Sequence, residues 1–241
     1  MWGSAEYERI AQRLAPVHDE LVARLEPAPG VRWLDVATGT GEVARRAAAG
    51  GAEVTGIDIA PAMIDAARAK VPEASFDVGD AQQLPYEDES FDVVSSAFGI
   101  IFAPDQESVA RELARVCRVR VGLTAWEPNA DLAELYTRFG AELPEGSASF
   151  EWGTHERVEQ LLGRAFELEI ERRAWLLEGS DGEELWQLWS TSAPPFKALV
   201  ESLGDRREEF HQAYVEYCER YRVGRRVRVP RTYLIVVGKK K

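Results

Sequence analysis

Val31-Arg32-Trp33-Leu34-Asp35-Val36-Ala37-Thr38-Gly39-Thr40-Gly41-Glu42-Val43-Ala44 changes character twice along its length. From Val31 to Val36 the mix of β-branched, aromatic and aliphatic residues predicts a short buried strand. Thr38-Gly39-Thr40-Gly41 predicts a sharp turn, and Glu42 to Ala49 is rich in helix formers. A strand, a glycine turn and a helix let the backbone approach a ligand closely, because Gly39 and Gly41 lack a Cβ. The start of the helix directs free N–H groups and a partial positive charge at the turn, which suits a carboxylate or a phosphate. The turn alone decides little. Gly39-x-Gly41-x-x-Ala44 also fits the nicotinamide-dinucleotide fingerprint, and glycine turns occur without ligands.

Upstream, Ser4–Leu14 and Pro16–Leu25 predict two helices split by Pro16, with Ile10, Leu14, Val17, Leu21 and Leu25 at helical spacing. Pro27-Ala28-Pro29-Gly30 ends them. Downstream, Gly50-Gly51 stops the helix, Glu53–Asp58 predicts a second strand, and Pro61 opens a helix to about Lys70. Ala74–Val78 is a third strand, Leu84–Ser90 a polar loop, and Phe91–Ser96 a fourth strand. A helix over Asp105–Arg118 leads into a fifth strand, Val119–Trp126. Strand and helix alternate from 31 to 126, so the fold class is α/β, with a parallel sheet covered on both faces. Further on, helices are expected at Ala130–Gly140 and at Thr154–Leu162, the latter capped by Thr154. Phe166–Leu177 and Thr232–Val237 are strands, and Asp181–Arg222 is helical. Phe210, Tyr214, Tyr217 and Tyr221 share one helix face, which reads as core packing or as a lid.

The chain has 241 residues, 45% of them hydrophobic, enough for one large domain with a sizeable core. A net charge of −12 argues against nucleic acid as a partner. The run Arg220, Arg222, Arg225, Arg226, Arg228 and Arg231 reads as a solvated strand edge, or else as an anion site. Cys117 and Cys218 sit in helical patterns without metal-ligand spacing, so buried free thiols are expected and no metal. Met1–Glu6 lacks a secretory pattern, and no apolar run approaches the roughly 20 residues of a membrane span. A cytoplasmic protein is the expectation.

Four features gather at the carboxyl ends of the expected parallel strands, where open α/β sheets bind ligands. Asp35 closes the first strand, and Asp58 closes the second 23 residues later, placed to accept from two ribose hydroxyls. Asp80 follows the third strand, within reach of an exocyclic adenine amine, and Ala97-Phe98 follow the fourth. Each carboxylate alone reads as a loop acid or helix cap; together they frame one crevice.

With these residues in view, the chain resembles the class I methyltransferases dependent on S-adenosylmethionine. Leu34–Gly41 is similar to that family's nucleotide loop, and Gly56-Ile57-Asp58-Ile59-Ala60-Pro61-Ala62-Met63 to its second element. Gly79–Pro85 and Ser90–Val94 are similar to its third and fourth elements. The resemblance implies a Rossmann-like, mostly parallel seven-stranded sheet with helices on both faces, a C-terminal antiparallel strand pair and a helical cap. It implies one domain, 1–241, with N-terminal helices at 1–28 and a cofactor core at 30–127. Cap segments would occupy 128–164 and 180–223, and the last strands 165–178 and 231–238. The implied cofactor is S-adenosylmethionine, leaving S-adenosylhomocysteine as product. Asp35, Ala37, Thr38, Gly39 and Gly41 would surround its methionine part. Asp58 would hold the ribose, Ile59 and Met63 would flank the adenine, and Asp80 and Ala81 would meet its edge. Ala97 and Phe98 would lie near the amino acid end. Phe98-Gly99-Ile100 with Asp35–Gly41 resembles the quinone-ring C-methyltransferases, but Ile101-Phe102 stands where that subgroup carries Arg-Asn, which argues against a quinone. The family's usual Pro-Gly-Gly turn before the fifth strand is missing too, so that connection must be tight.

Methyl transfer from a sulfonium is an in-line displacement, in which positioning can contribute about 7–11 kcal/mol and a general base roughly 10²–10⁴-fold. A thiolate or enolate acceptor needs no protein base. His18, His155 and His211 read as surface or capping residues rather than bases. The acceptor pocket is expected to draw on Tyr7, Phe98, Phe102, Trp126 and Trp152, which suits a small apolar or aromatic molecule. Two alternatives stay open: an NAD(P)-dependent oxidoreductase, and an inactive methyltransferase-like binding module. The chain is expected to act as a monomer or homodimer.

Overall fold

The computed structural model describes residues 4–140 and 151–241, and the side chains of all of these except 4–7 and 194. Helices α1 (Ser4–Arg13) and α2 (Ala15–Leu25) break at Leu14, because Pro16 sits in the first turn of α2, where a missing N–H costs nothing. Strand and helix then alternate: β1 (Arg32–Val36), α3 (Glu42–Ala49), β2 (Glu53–Asp58), α4 (Pro61–Lys70) and β3 (Ser75–Val78). They are followed by β4 (Phe91–Ala97), α5 (Gln106–Val116) and β5 (Cys117–Trp126). Beyond these lie α6 (Ala130–Arg138), α7 (His155–Leu162), β6 (Phe166–Gly179), α8 (Gly182–Ser192) and α9 (Pro194–Ser202). The chain ends with α10 (Arg207–Glu219), the two-residue β7 (Arg222–Val223) and β8 (Arg226–Lys240).

The sheet runs β3-β2-β1-β4-β5-β8-β6, with β7 paired to the start of β8. The first five strands are parallel, while β8 lies antiparallel between β5 and β6. The seven strands of the main path are those expected, and β7 adds an eighth. Strand order reverses between β1 and β4, and a crevice opens there at the carboxyl ends.

Two faces cover the sheet. Gly122 lets Leu25 of α2 press onto β5: a Cβ there would meet Leu25 Cδ1 at 2.5 Å. Residues of the same parity, Thr124 and Trp126, therefore face α2, while Val121 and Leu123 face α5. Leu21, Leu25, Trp33 and Leu34 are fully buried, and each aliphatic side chain so placed stabilises by roughly 1.5–3 kcal/mol. Among the described residues no helix is long and apolar enough to cross a membrane.

Two elements differ from expectation. Helix α5 ends at Val116 and β5 begins at Cys117 with no residue between, the tight connection the missing Pro-Gly-Gly implied. Cys117 thus lies in a strand, not a helix; both cysteines are nevertheless free and buried. The β6–β8 pair runs well past the apolar segments, from Phe166↔Lys240 to Gly179↔Val227. Its charged end is held by the cross-strand ion pair of Arg228 with Glu178 (3.1 Å), which an apolar-run criterion overlooks.

Candidate active site

The turn after β1 has a backbone built for close approach. Ala37, Gly39 and Gly41 take φ of 53°, 56° and 82°, and Phe98, just after β4, takes 59°. Left-handed conformations cost an alanine or a phenylalanine about 1–2 kcal/mol, and such strain collects where function requires it. The two strained residues border one another. A Cβ on Gly99 would lie 2.4 Å from Ala37 Cβ, so only glycine fits after Phe98.

Carboxylates hold this turn in place. Asp35 is buried and accepts from Thr38 Oγ1 (2.6 Å) and from Ser95 Oγ (2.7 Å), while Ser95 accepts from Trp33 Nε1 (2.8 Å). Burial pushes the Asp35 carboxyl up to about 6, against the two hydroxyl hydrogen bonds. Asp58 accepts from Gly39 N through Oδ2 and from Ala60 N through Oδ1, both at 2.9 Å. Burial raises its pKa as well, with those backbone N–H groups opposing. Thr38 N donates to Ile57 O at 3.0 Å, completing the seam between the turn and β2. Asp80 accepts from Gln82 N (2.8 Å) and Nε2 (2.9 Å), and Gln82 Oε1 accepts from Asp105 N (2.9 Å), tying the loop after β3 to the cap of α5. The three aspartates end adjacent strands or follow them, but only Asp35 is sealed in.

Between the turn and α1/α2 lies a small, partly open cleft. It brings together Asp35, Ala37, Thr38, Gly39 and Ala97, all predicted for the site. Gly41 is buried at the start of α3, where its Cβ would meet Ala67 at 3.2 Å. Asp58, Ile59, Asp80 and Ala81 follow the rim along β2 and β3 outside this cleft, with Ile59 63% exposed. Met63 is 2% exposed on α4, so its side chain is buried rather than open to the rim. Phe98 leaves the cleft to stack on Trp126, with ring centroids 4.0 Å apart and planes at 8°. Of the other residues expected around the acceptor, Phe102 is half exposed and Trp152 is wholly buried. Its neighbour Gly153 lies tight against the end of β5, where a Cβ would come 1.8 Å from the Trp126 carbonyl oxygen. The Tyr7 side chain lies outside the described residues.

Other residues gather at or beside the cleft. His18 is not a surface or capping residue: it is 5% exposed, lines the cleft, and its Nδ1 has no hydrogen-bond partner. Burial, helped by the Arg46 charge, lowers its pKa to about 4, so the imidazole is neutral at pH 7. His155, by contrast, is exposed at the start of α7, as expected. Lys70 of α4 donates to Glu8 Oε2 of α1 (2.7 Å) and Glu42 Oε1 of α3 (2.8 Å), while Thr40 Oγ1 donates to Glu8 (3.0 Å). Burial works against Glu42, but hydrogen bonds from Lys70 and Arg46 hold it down at about 2. This cluster clamps α1 over the glycine turn. Glu42 is visible in the sequence as a first-turn acid, but its partners are remote in the chain.

Residues 34–121 match the family model described as a methyltransferase domain. An uncharacterized protein of Mycobacterium tuberculosis is 34% identical over 174 residues, covering 68% of this chain and 64% of that protein. The chain thus spans a little under two thirds of the length of that relative. Demethylmenaquinone methyltransferase of Thermotoga maritima is 40% identical over 101 residues, 41% of this chain and 43% of that one. Among solved structures, phosphoethanolamine N-methyltransferase 2 of Haemonchus contortus, in complex with S-adenosyl-L-methionine, superposes with a TM-score of 0.60 at 18% identity, covering 93% of this chain and 52% of that one. Fold, glycine turn and matched domain agree: residues 34–121 match a methyltransferase domain, and the chain is similar over that core to S-adenosylmethionine-dependent methyltransferases.

Proposed function

We propose that this chain transfers a methyl group from S-adenosylmethionine to a small organic acceptor with aromatic or apolar character. The observation that carries the proposal is the open cleft between the left-handed turn at 37–41 and the α1–α2 pair, bordered by the strained Phe98. The residues present fit the cofactor. Asp58 uses one lone pair of each oxygen on the backbone and keeps others for two ribose hydroxyls. Ile59 offers exposed apolar surface beside it for a purine. Ala37 and Gly39 bring backbone to the cleft wall, and the neutral His18 supplies an unpartnered ring nitrogen for the amino acid end. Asp80, on the next loop, is placed to accept from an adenine amine.

The bound cofactor supplies an electrophilic methyl on a sulfonium. What the chain itself contributes is placement. Phe98, stacked face to face on Trp126, stands one residue beyond Ala97 of the cleft, so an acceptor packed against this aromatic pair is held beside the donor. Such orientation can contribute about 7–11 kcal/mol, and an acceptor nucleophilic at neutral pH asks for no base. Where the quinone-methylating subgroup carries Arg-Asn, this chain has Ile101, buried, and Phe102, half exposed, so we assign a different acceptor. The test is a screen of phenols, thiols, amines and carboxylates with S-adenosylmethionine, reading S-adenosylhomocysteine. Acceptor-dependent product is expected; reduction or oxidation of substrates coupled to a nicotinamide cofactor, with no such product, would overturn the proposal.

A further inference from the structure

Arg231 departs from the solvated edge expected of the arginine run. Arg220, Arg222, Arg225, Arg226 and Arg228 are exposed, but Arg231 is half-buried. Every other half-buried arginine among the described residues, from Arg13 to Arg173, has a carboxylate within 4.0 Å. Arg231 has none, and its side chain makes no hydrogen bond among those residues, in a chain of net charge −12. A guanidinium taken partly out of water without a counter-charge is costly, and acidic side chains to neutralise it are plentiful here.

Its surroundings are aromatic and short of acceptors. The Arg231 Cζ lies 5.4 Å from the Trp126 ring centroid and 5.8 Å from that of Trp189. Stacking on indole faces holds a guanidinium by its plane and leaves the N–H edges free. One more donor nearby is idle: Trp189 Nε1 is buried with no hydrogen-bond partner. The position is also informative. Arg231 pairs with Trp175, two residues before the Tyr233↔Trp126 pair, and so shares the α2-facing side of the sheet. Trp126 stacks on Phe98, which adjoins Ala97 in the cleft. The unpaired cation therefore sits one aromatic ring beyond the place assigned to the methyl donor.

We propose that Arg231 binds a carboxylate carried by the methyl acceptor, whose planar body lies against Trp126 and Trp189. This rests on the methyltransferase assignment and narrows it to aromatic or other planar carboxylic acids. A single guanidinium matches one negative charge, and its planar fork fits a carboxylate through two parallel hydrogen bonds. A dianionic phosphate would call for a second free cation, and among the described residues no other half-buried arginine is unpaired.

The test uses the full chain with S-adenosylhomocysteine present. Binding of 4-hydroxybenzoate, cinnamate and indole-3-acetate, each against its carboxamide, is read by tryptophan fluorescence, with phenyl phosphate as a further arm. At least one carboxylate should bind about tenfold or more tighter than its amide, the loss of a charge-assisted hydrogen bond. R231Q should abolish that preference and R231K retain part of it. No binding by any carboxylate, equal binding by the amides, tighter binding by the phosphate, or an unchanged preference in R231Q overturns the proposal. Calorimetry with S-adenosylhomocysteine on the same samples reads the methyltransferase assignment separately. Nucleoside binding with no carboxylate selectivity refutes the Arg231 proposal alone, and absent nucleoside binding refutes both.

Discussion

The contact between Ala37 and Gly99 decides whether the glycine turn and the loop after β4 form one rigid floor, and it can be tested by a double-mutant cycle. Gly99 has φ −87° and ψ −47°, a conformation alanine adopts freely, so Gly99→Ala changes only sterics. The added Cβ would lie 2.4 Å from Ala37 Cβ and 2.9 Å from Ala37 O. Ordinary contact begins about 1 Å further out, so one of the two loops must move, and overpacking of this kind costs about 1–3 kcal/mol. Ala37→Gly removes the nearer atom and also relieves a φ of 53°. That gain of about 1 kcal/mol is offset by roughly 0.5–1 kcal/mol of glycine chain entropy, leaving the single change near neutral. In the double variant the clash with the carbonyl oxygen persists, so stability returns only in part. Urea midpoints should give a coupling energy of about 0.5–2 kcal/mol, and Gly99→Ala alone should also weaken S-adenosylhomocysteine binding. Additive effects, with no coupling between positions 37 and 99, would refute the claim that these loops brace each other.

Three other perturbations follow from the same geometry. Lys70→Met leaves Glu8 and Glu42 facing each other without their shared cation; after allowance for partial exposure, stability should fall by about 1–2 kcal/mol, with faster amide exchange across Ser4–Arg13. Asp35 and His18 pull stability in opposite directions with pH. The Asp35 pKa is raised to about 6, so folding retains a proton that the unfolded chain releases, and its contribution is lost as pH rises from 3.8 to 6. The His18 pKa is lowered to about 4, so its contribution is lost as pH falls from 6.5 to 4. Asp35→Asn removes only the first term, so its stability relative to the parent should grow by up to about 3 kcal/mol from pH 4 to pH 7; urea titrations giving a constant difference would contradict this. Asp58→Ala strips acceptors from Gly39 N and Ala60 N as well as from a ribose, so affinity for S-adenosylhomocysteine should drop by about 1–3 kcal/mol, with Asp58→Asn intermediate by calorimetry.

The alternation from β1 to β4 is legible because β1 and β4 are buried along almost their whole length, and glycine, proline or charged loops part these strands from the helices. Leu34-Asp35-Val36 followed by three residues at positive φ within five is a local pattern, and the chain writes it locally. What escaped depends on partners distant in the sequence. His18 looks like any polar helix residue until Arg46 and Glu42 of α3 pack beside it. Lys70, Glu8 and Glu42 are ordinary surface charges in a linear reading, and only the crossing of α1 over α3 and α4 makes them a cluster. The β6–β8 ribbon was cut short because its far half alternates charge with apolar residues, and its pairing past Trp126 lifts Arg231 out of solvent. Cys117 was assigned to a helix because no turn residue separates α5 from β5. Among the aromatics, the Phe210–Tyr217 face is core, with Phe210, Tyr214 and Tyr217 each at most 3% exposed. Phe98 and Trp126 stack instead, a pairing set by the left-handed Phe98 after β4 and its backbone hydrogen bond to Thr124 of β5.

The central claim is that the cleft beside residues 37–41 receives an adenosyl amino acid rather than a dinucleotide. Isothermal titration of the unmodified protein with S-adenosylhomocysteine and, separately, with NADH measures this directly. One saturable site for S-adenosylhomocysteine, weakened by Asp58→Ala, and no heat from NADH is the predicted result. Saturable binding of NADH with none of S-adenosylhomocysteine would contradict it.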